Sequence, residues 1–116
     1  VVAMQFLQEI DKDRVGNTWP MVGDYLRGTV TRAEWEKGIV AARAGRSPAS
    51  RDLLGAFFTR TLDDARDGHF FIVAYVTRYG DSWYQERVIL SLQNKQWKVD
   101  GYWMFPSDAD GTIKKT

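Results

Sequence analysis

Residues 70–99, FFIVAYVTRYGDSWYQERVILSLQNKQWKV, decide the fold. Their apolar side chains recur at a period of two, the spacing at which successive residues of a strand point to opposite faces of a sheet. Over residues 70–79, Phe71, Val73 and Tyr75 take one face and Phe70, Ile72, Ala74 and Val76 the other. Both faces are apolar, which places this strand inside a sheet. Gly80 and Asp81 turn the chain into a second run, where Tyr84, Glu86, Val88, Leu90 and Leu92 alternate with Trp83, Gln85, Arg87, Ile89, Ser91 and Gln93. Asn94 and Lys95 form a two-residue hairpin turn, and Asn accepts the positive φ needed there. The next run sends Trp97 and Val99 to the core. Gly101 then interrupts the alternation ahead of Tyr102, Trp103 and Phe105, a signal for a bulge or a close backbone approach. Upstream, residues 51–62 supply one more strand and the polar segment 63–68 a turn. Connections this short join antiparallel neighbours, so the four runs form a meander.

The first half of the chain reads at helical period instead. Ala3, Leu7 and Ile10, with Phe6 beside them, make the apolar stripe of a helix that ends before Gly16. Asn17 or Thr18 can cap a second helix, with Pro20 in its first turn, a stripe of Trp19, Val22 and Leu26, and an end at Gly28. Thr31, Arg32, Ala33 and Glu34 have the spacing of a capping box, opening a third helix that carries Trp35, Ile39 and Ala42 and closes at Gly45, Ser47 and Pro48. The expected architecture is α+β: three N-terminal helices packed on one face of a curved four-stranded antiparallel meander sheet. A single domain over residues 1–105 is followed by a polar tail, 106–116, expected to fray. Trp83 and Tyr102 are expected on the sheet face away from the helices, as surface contacts that a second copy could cover.

Composition narrows the function. With 116 residues there is room for one domain, and 44% apolar content fills its core. Sixteen basic against fifteen acidic residues leave a net charge of +1, too balanced for a surface that binds nucleic acid. The chain has no cysteine and one histidine, His69, so thiolate zinc sites, cysteine nucleophiles and multi-histidine metal sites are excluded. Asp108 to Gly111 begins like a calcium loop but lacks its closing Glu. No metal or cofactor is expected, and no run is long and apolar enough to span a membrane. The sequence begins at Val1 and not Met, and is read as a trimmed form.

Glu86 is the sharpest candidate. The alternation points it into the core, where a bare carboxylate would cost several kcal/mol without a partner. Three readings stand: a core ion pair with Arg51 or Arg43, an acid that contacts a ligand, and a general acid or base. Arg43, Arg46 and Arg51 form a basic group around the connection from helix to strand, able to meet an anionic ligand. Tyr75, Tyr84 and Trp35 lead the aromatic residues that either fill the core or line an apolar pocket. The candidate ligand-binding set is therefore Glu86, Arg51, Arg43, Tyr75, Tyr84 and Trp35, with no catalytic residue assigned. His69, beside Gly68, has no acid or serine at a partner's spacing and reads as a turn histidine.

Several of these residues occur together in an order that resembles a known bacterial family. They are the amphipathic first helix, Thr18-Trp19, Thr31 to Trp35, Arg43 with Gly45, Ser50-Arg51, Glu86 ahead of Val88 and Leu90, and Trp97-Lys-Val-Asp-Gly-Tyr102. The sequence resembles the family catalogued as domain of unknown function 4019, over nearly the whole chain up to Phe105. That resemblance implies an exported protein, periplasmic or secreted. The layout is similar to a shortened nuclear-transport-factor-2-like, or cystatin-like, cone, a fold that hosts isomerases, dehydratases and plain binding modules and so chooses no function. The expected function is a non-catalytic module for a small apolar ligand or a protein partner, forming a homodimer through its sheet face. The alternatives are an immunity or inhibitor protein acting through a surface patch, and a small isomerase or hydrolase using Glu86.

Overall fold

The structure, a computed structural model, describes residues 2–62 and 67–114; the turn expected over 63–68 lies in part outside them. Four helical segments precede four strands. Helix α1, Val2–Asp11, buries Ala3, Phe6, Leu7 and Ile10, the stripe its sequence spells out. Helix α3, Arg32–Arg43, starts at the expected capping box: Thr31 Oγ1 accepts from the Glu34 amide at 3.1 Å and Glu34 Oε1 from the Thr31 amide at 2.9 Å. It stops at Ala44, whose φ of 51° is left-handed, followed by Gly45 at 74°.

Between them the structure departs from the single helix expected up to Gly28. A 3-10 helix, Val15–Met21, is followed by a separate short α2, Asp24–Thr29. The break falls at Val22, which bridges Val99 in parallel, while the Gly23 amide donates to the Val99 carbonyl at 2.8 Å. A buried sheet edge needs partners for its backbone groups, and this need outweighs helix continuation. Gly23 has no side chain to cap α2, so two side chains from the sheet cap it instead. Asp100 Oδ1 accepts from the Leu26 amide at 3.3 Å and Gln93 Oε1 from the Asp24 amide at 3.0 Å.

The strands are β1, Ser50–Thr61; β2, Asp67–Tyr79; β3, Ser82–Gln93; and β4, Gln96–Ser107, in the order β1-β2-β3-β4, all antiparallel and not closed into a barrel. Asn94 and Lys95 both take positive φ, 49° and 66°, as their hairpin turn requires. The interruption at Gly101 is both a bulge and a close approach. Leu90 pairs with Val99 and Ile89 with Gly101, leaving Asp100 as the extra residue. A Cβ on Gly101 would lie 2.5 Å from the Trp103 ring, which folds over it.

The bulge corrects the expectation for Tyr102. Alternation counted straight through β4 puts Tyr102 on the outer face, but the extra residue shifts the parity, so that Tyr102 pairs with Val88 and packs against the helix-side core. Trp103 moves to the outer face and is exposed. Trp83 is half-buried. The helix-side core centres on Phe6, Leu7, Val22, Val88 and Val99.

The C-terminal segment is also more ordered than expected. Ser107 bridges Ile113, the Lys114 amide donates to the Pro106 carbonyl at 2.9 Å, and Gln85 Nε2 donates to the Gly111 carbonyl at 2.7 Å. These bonds fold the chain back as a hairpin over one end of the outer face, next to Leu54 and Val76.

Two glycines test this packing. A Cβ on Gly23 would sit 2.5 Å from Asp100 Oδ1 and 2.6 Å from Gln93 Nε2, whereas one on Gly28 meets nothing within 4 Å. Gly23→Ala is expected to destabilise by about 1–3 kcal/mol through overpacking. Gly28→Ala is expected to stabilise by about 0.4–1 kcal/mol, as a helical Gly→Ala change does where space allows. Urea unfolding midpoints of the two variants check both signs.

Candidate functional site

The ends of three elements converge on Glu86. Helix α1 ends at Asp11, α3 ends at Arg43 and β1 begins with Ser50 and Arg51, while β3 carries Glu86 on the face these elements cover. Each arginine bridges both acids. Arg43 reaches Asp11 Oδ1 at 2.8 Å and Glu86 Oε2 at 3.4 Å; Arg51 reaches Asp11 Oδ2 at 2.6 Å and Glu86 Oε1 at 2.8 Å. Two positive and two negative groups make the cluster neutral. Glu86 is 0% exposed.

Hydroxyl donors complete the carboxylate's shell. Tyr79 donates to Glu86 Oε2 at 3.0 Å, Tyr102 donates to the same oxygen, and Thr77 donates to Oε1. Among the described residues no buried side-chain nitrogen or oxygen lacks a hydrogen-bond partner. A buried ion pair is tolerable only on those terms, because desolvation costs several kcal/mol per ion. Burial, and then the Glu86 carboxylate, push the Tyr102 and Tyr79 phenols well above the usual tyrosine value. Burial opposes the charge of Arg51, but its bond with Asp11 and the charges of Glu86 and Asp11 outweigh it, holding that guanidinium above its ordinary pKa. Arg43 is also raised, against burial, by Tyr102, Tyr79 and Glu86. The tyrosines stay donors and the arginines stay charged.

The structure brings Glu86, Arg51 and Arg43 together, joining both arginines to the acid where the sequence offered either. Tyr84 is one step away: Arg46 Nη1 donates to its hydroxyl at 2.7 Å, and its ring meets Tyr79 edge-on at 5.7 Å. Arg46 is thereby held over the Tyr79 and Tyr84 rings. Tyr75 pairs across the strands with Glu86 and is buried, and burial raises its phenol. Trp35 is not part of this cluster. Its indole N–H donates to Thr18 Oγ1 at 2.9 Å and its ring packs 6.0 Å from Phe6.

Asp11 is the member that the sequence reading did not single out. Its signal was available, since Asp11 follows Leu7 by four residues and so continues the apolar stripe of Ala3 and Leu7. Tyr102 was obscured by the parity change at Asp100.

The opposite face of the sheet holds a cavity of different character. It is a trough of about 620 Å³ lined by Phe57, Leu62, Ile72, Ile89, Trp103 and Phe105 among others, with Thr59, Thr61, Gln85 and Arg87 as polar members. The Arg87 guanidinium lies 5.1 Å from the centre of the Phe105 ring and donates to Gln85 Oε1. A smaller cavity of about 210 Å³ touches His69, Ser91, Gln93 and Asp100. There Ser91 Oγ and Gln93 Nε2 both donate to Asp100 Oδ2, the carboxylate that also caps α2. No helix among the described residues is long and apolar enough to cross a membrane, and no group of His, Asp or Glu among them is placed to hold a metal ion.

Two outcomes follow from the charge cluster. Glu86→Gln keeps the volume but leaves two buried arginines facing one acid, and should cost about 3–5 kcal/mol in urea unfolding. The raised phenols of Tyr79 and Tyr102 set an alkaline limit. Below about pH 10 these groups are protonated in both states, and above it the unfolded chain ionises while the folded one resists, so stability falls as pH rises past that point. Tyrosinate absorbance and far-UV circular dichroism, followed together up the pH scale, should show the last tyrosines ionising only as the fold is lost.

No curated protein and no solved structure matches the chain. Residues 2–102 match the family model described as Protein of unknown function (DUF4019), with the cluster residues Asp11, Arg43, Arg51, Glu86 and Tyr102 inside the matched segment. A match of that extent places this chain in the DUF4019 family.

Proposed function

We propose that the chain is a non-catalytic binding module of the bacterial cell envelope that holds an apolar small molecule in the trough on the helix-free face of its sheet. The observation that carries this reading is the trough itself. Its volume of about 620 Å³ falls within the range of ligand pockets, and its apolar lining lies outside the helix-side core. Arg87 adds one cation among aromatic and aliphatic walls, so an aliphatic or aromatic body with an acidic or polar end has the matching chemistry.

The charge cluster supports the non-catalytic part of the reading. A general acid or base must come within hydrogen-bond reach of the proton that it moves. Glu86 has no exposed surface and its two oxygens already accept from arginine, tyrosine and threonine. The envelope setting is part of the proposal and rests only on the resemblance described under the sequence.

Calorimetric titration with dodecanoate and with dodecanol tests the proposal. Saturable binding is expected for both, tighter for the carboxylate at low salt because of Arg87. Ala74, which lines the trough floor between Ile72 and Val76, is the position to block. Ala74→Trp should weaken binding by about tenfold or more, a loss of about 1.4 kcal/mol or above, with the fold intact by circular dichroism. Absence of saturable heat with either ligand, or binding indifferent to Ala74→Trp, would sink the reading.

A further inference from the structure

Among the described residues Arg87 is the only charged side chain lining the trough, and what holds it in place starts outside the trough. Gln85 and Arg87 are two residues apart on β3 and so share the outer face. Gln85 is 7% exposed, and both ends of its amide are bonded. Nε2 donates to the Gly111 carbonyl of the C-terminal hairpin at 2.7 Å, and Oε1 accepts from Arg87 Nε. Only this orientation of the amide satisfies both neighbours. A flipped amide would set its oxygen against the Gly111 carbonyl and its NH2 against the guanidinium. The Phe105 ring, whose centre is 5.1 Å from Arg87 Cζ, gives the guanidinium a second contact. Gly111 itself is seated on terms that only glycine meets: its φ is 89°, and a Cβ there would lie 2.9 Å from Leu54 Cδ2. The Gly111 amide donates to the Asp108 carbonyl and the Asp108 amide to the Thr112 carbonyl, each at 2.9 Å, so the hairpin offers its carbonyl from a closed turn.

With Nε spent on Gln85, the guanidinium keeps Nη1 and Nη2, which have no hydrogen-bond partner among the described residues. Those two nitrogens form an end-on fork that matches the two oxygens of a carboxylate, whereas an alcohol brings one oxygen and no charge. Along β3 the lining then turns apolar: Gln85 and Arg87 are followed by Ile89, which packs with Leu62, Phe70 and Ile72. The trough has one charged end, beside the hairpin, and one apolar end. We infer that Gln85, held by the Gly111 carbonyl, is a positioning residue that presents the Arg87 fork to the carboxylate of an amphiphilic ligand, so that the C-terminal hairpin sets the preference of the trough for a carboxylate over an alcohol of the same chain. This rests on the trough being a ligand site, as proposed above.

Titration of dodecanoate and of dodecanol at low salt into the wild type, Gln85→Met, Gly111→Ala and Arg87→Met tests the inference, with the ratio of the two dissociation constants as the readout. The ratio separates positioning from a structural role, since a loosened trough weakens both ligands alike. The wild type should favour dodecanoate, and Arg87→Met should bring the ratio close to one. Gln85→Met and Gly111→Ala should each cut the preference by about five- to tenfold, although Gly111 does not line the trough. In the Arg87→Met background neither should change the ratio further, because the relay would then have nothing to position. The two variants lie on different segments, so either one, folded by circular dichroism, is a sufficient test. No saturable heat with either ligand in the wild type sinks the trough reading and this inference with it. Equal binding of both ligands by the wild type leaves that reading standing and overturns the inference, as does a preference that survives Gln85→Met or Gly111→Ala.

Discussion

A carboxylate with no exposed surface is the constraint on which the rest of this molecule depends. Glu86 sits on the central part of the sheet and must be neutralised there, since an isolated ion of that kind would outweigh the whole stability margin of a domain this size. Neutralising it recruits the last residue of α1, the last residue of α3 and the second residue of β1. The same bonds therefore fix the helix layer on the sheet. Hydrophobic contact alone would leave the positions of α1 and α3 relative to the sheet weakly specified, because packing of apolar surfaces is not directional. The four charges and the tyrosine hydroxyls supply direction.

The second organising feature is the single extra residue at Asp100. It turns Tyr102 inward, where its hydroxyl completes the shell of Glu86, and turns Trp103 outward, where its ring becomes a wall of the trough. It also presents its own carboxylate to the amide of Leu26 and to Ser91 and Gln93. One bulge thus links the charge cluster, the α2 cap and the outer face. A strand without it would bury Trp103 among the helices and leave Glu86 short of one donor.

On the helix face the charge cluster is closed, and every buried polar side-chain atom among the described residues has its hydrogen bond. Exposed apolar side chains remain on both faces, in Phe57 and Trp103 on the outer one and in Leu53, Phe58, Phe71 and Leu92 on the one that bears the helices. Contiguous exposed apolar residues on a small domain mark where it meets something else, and those around the trough are the ones that the proposed ligand would cover.

Much of the architecture was legible in the sequence because it rests on local periodicity. The period of two over residues 70–99, the Asn94-Lys95 turn, the capping box at Thr31 and the stripe of α1 each follow from backbone geometry within a few residues, and all appear as read. Glu86 as a buried acid was legible for the same reason, and both candidate arginine partners, Arg51 and Arg43, proved to be bound to it. What the sequence alone did not decide was set by contacts between distant segments. The break of the second helix at Val22 needed the edge of β4, the inward turn of Tyr102 needed the bulge partner Ile89, and the inclusion of Asp11 needed the convergence of α1 with α3 and β1. Periodicity reports which face a residue takes within its own element; which charges meet, and where a helix must stop to satisfy another strand's backbone, depends on partners tens of residues away, and only the tertiary structure brings them together.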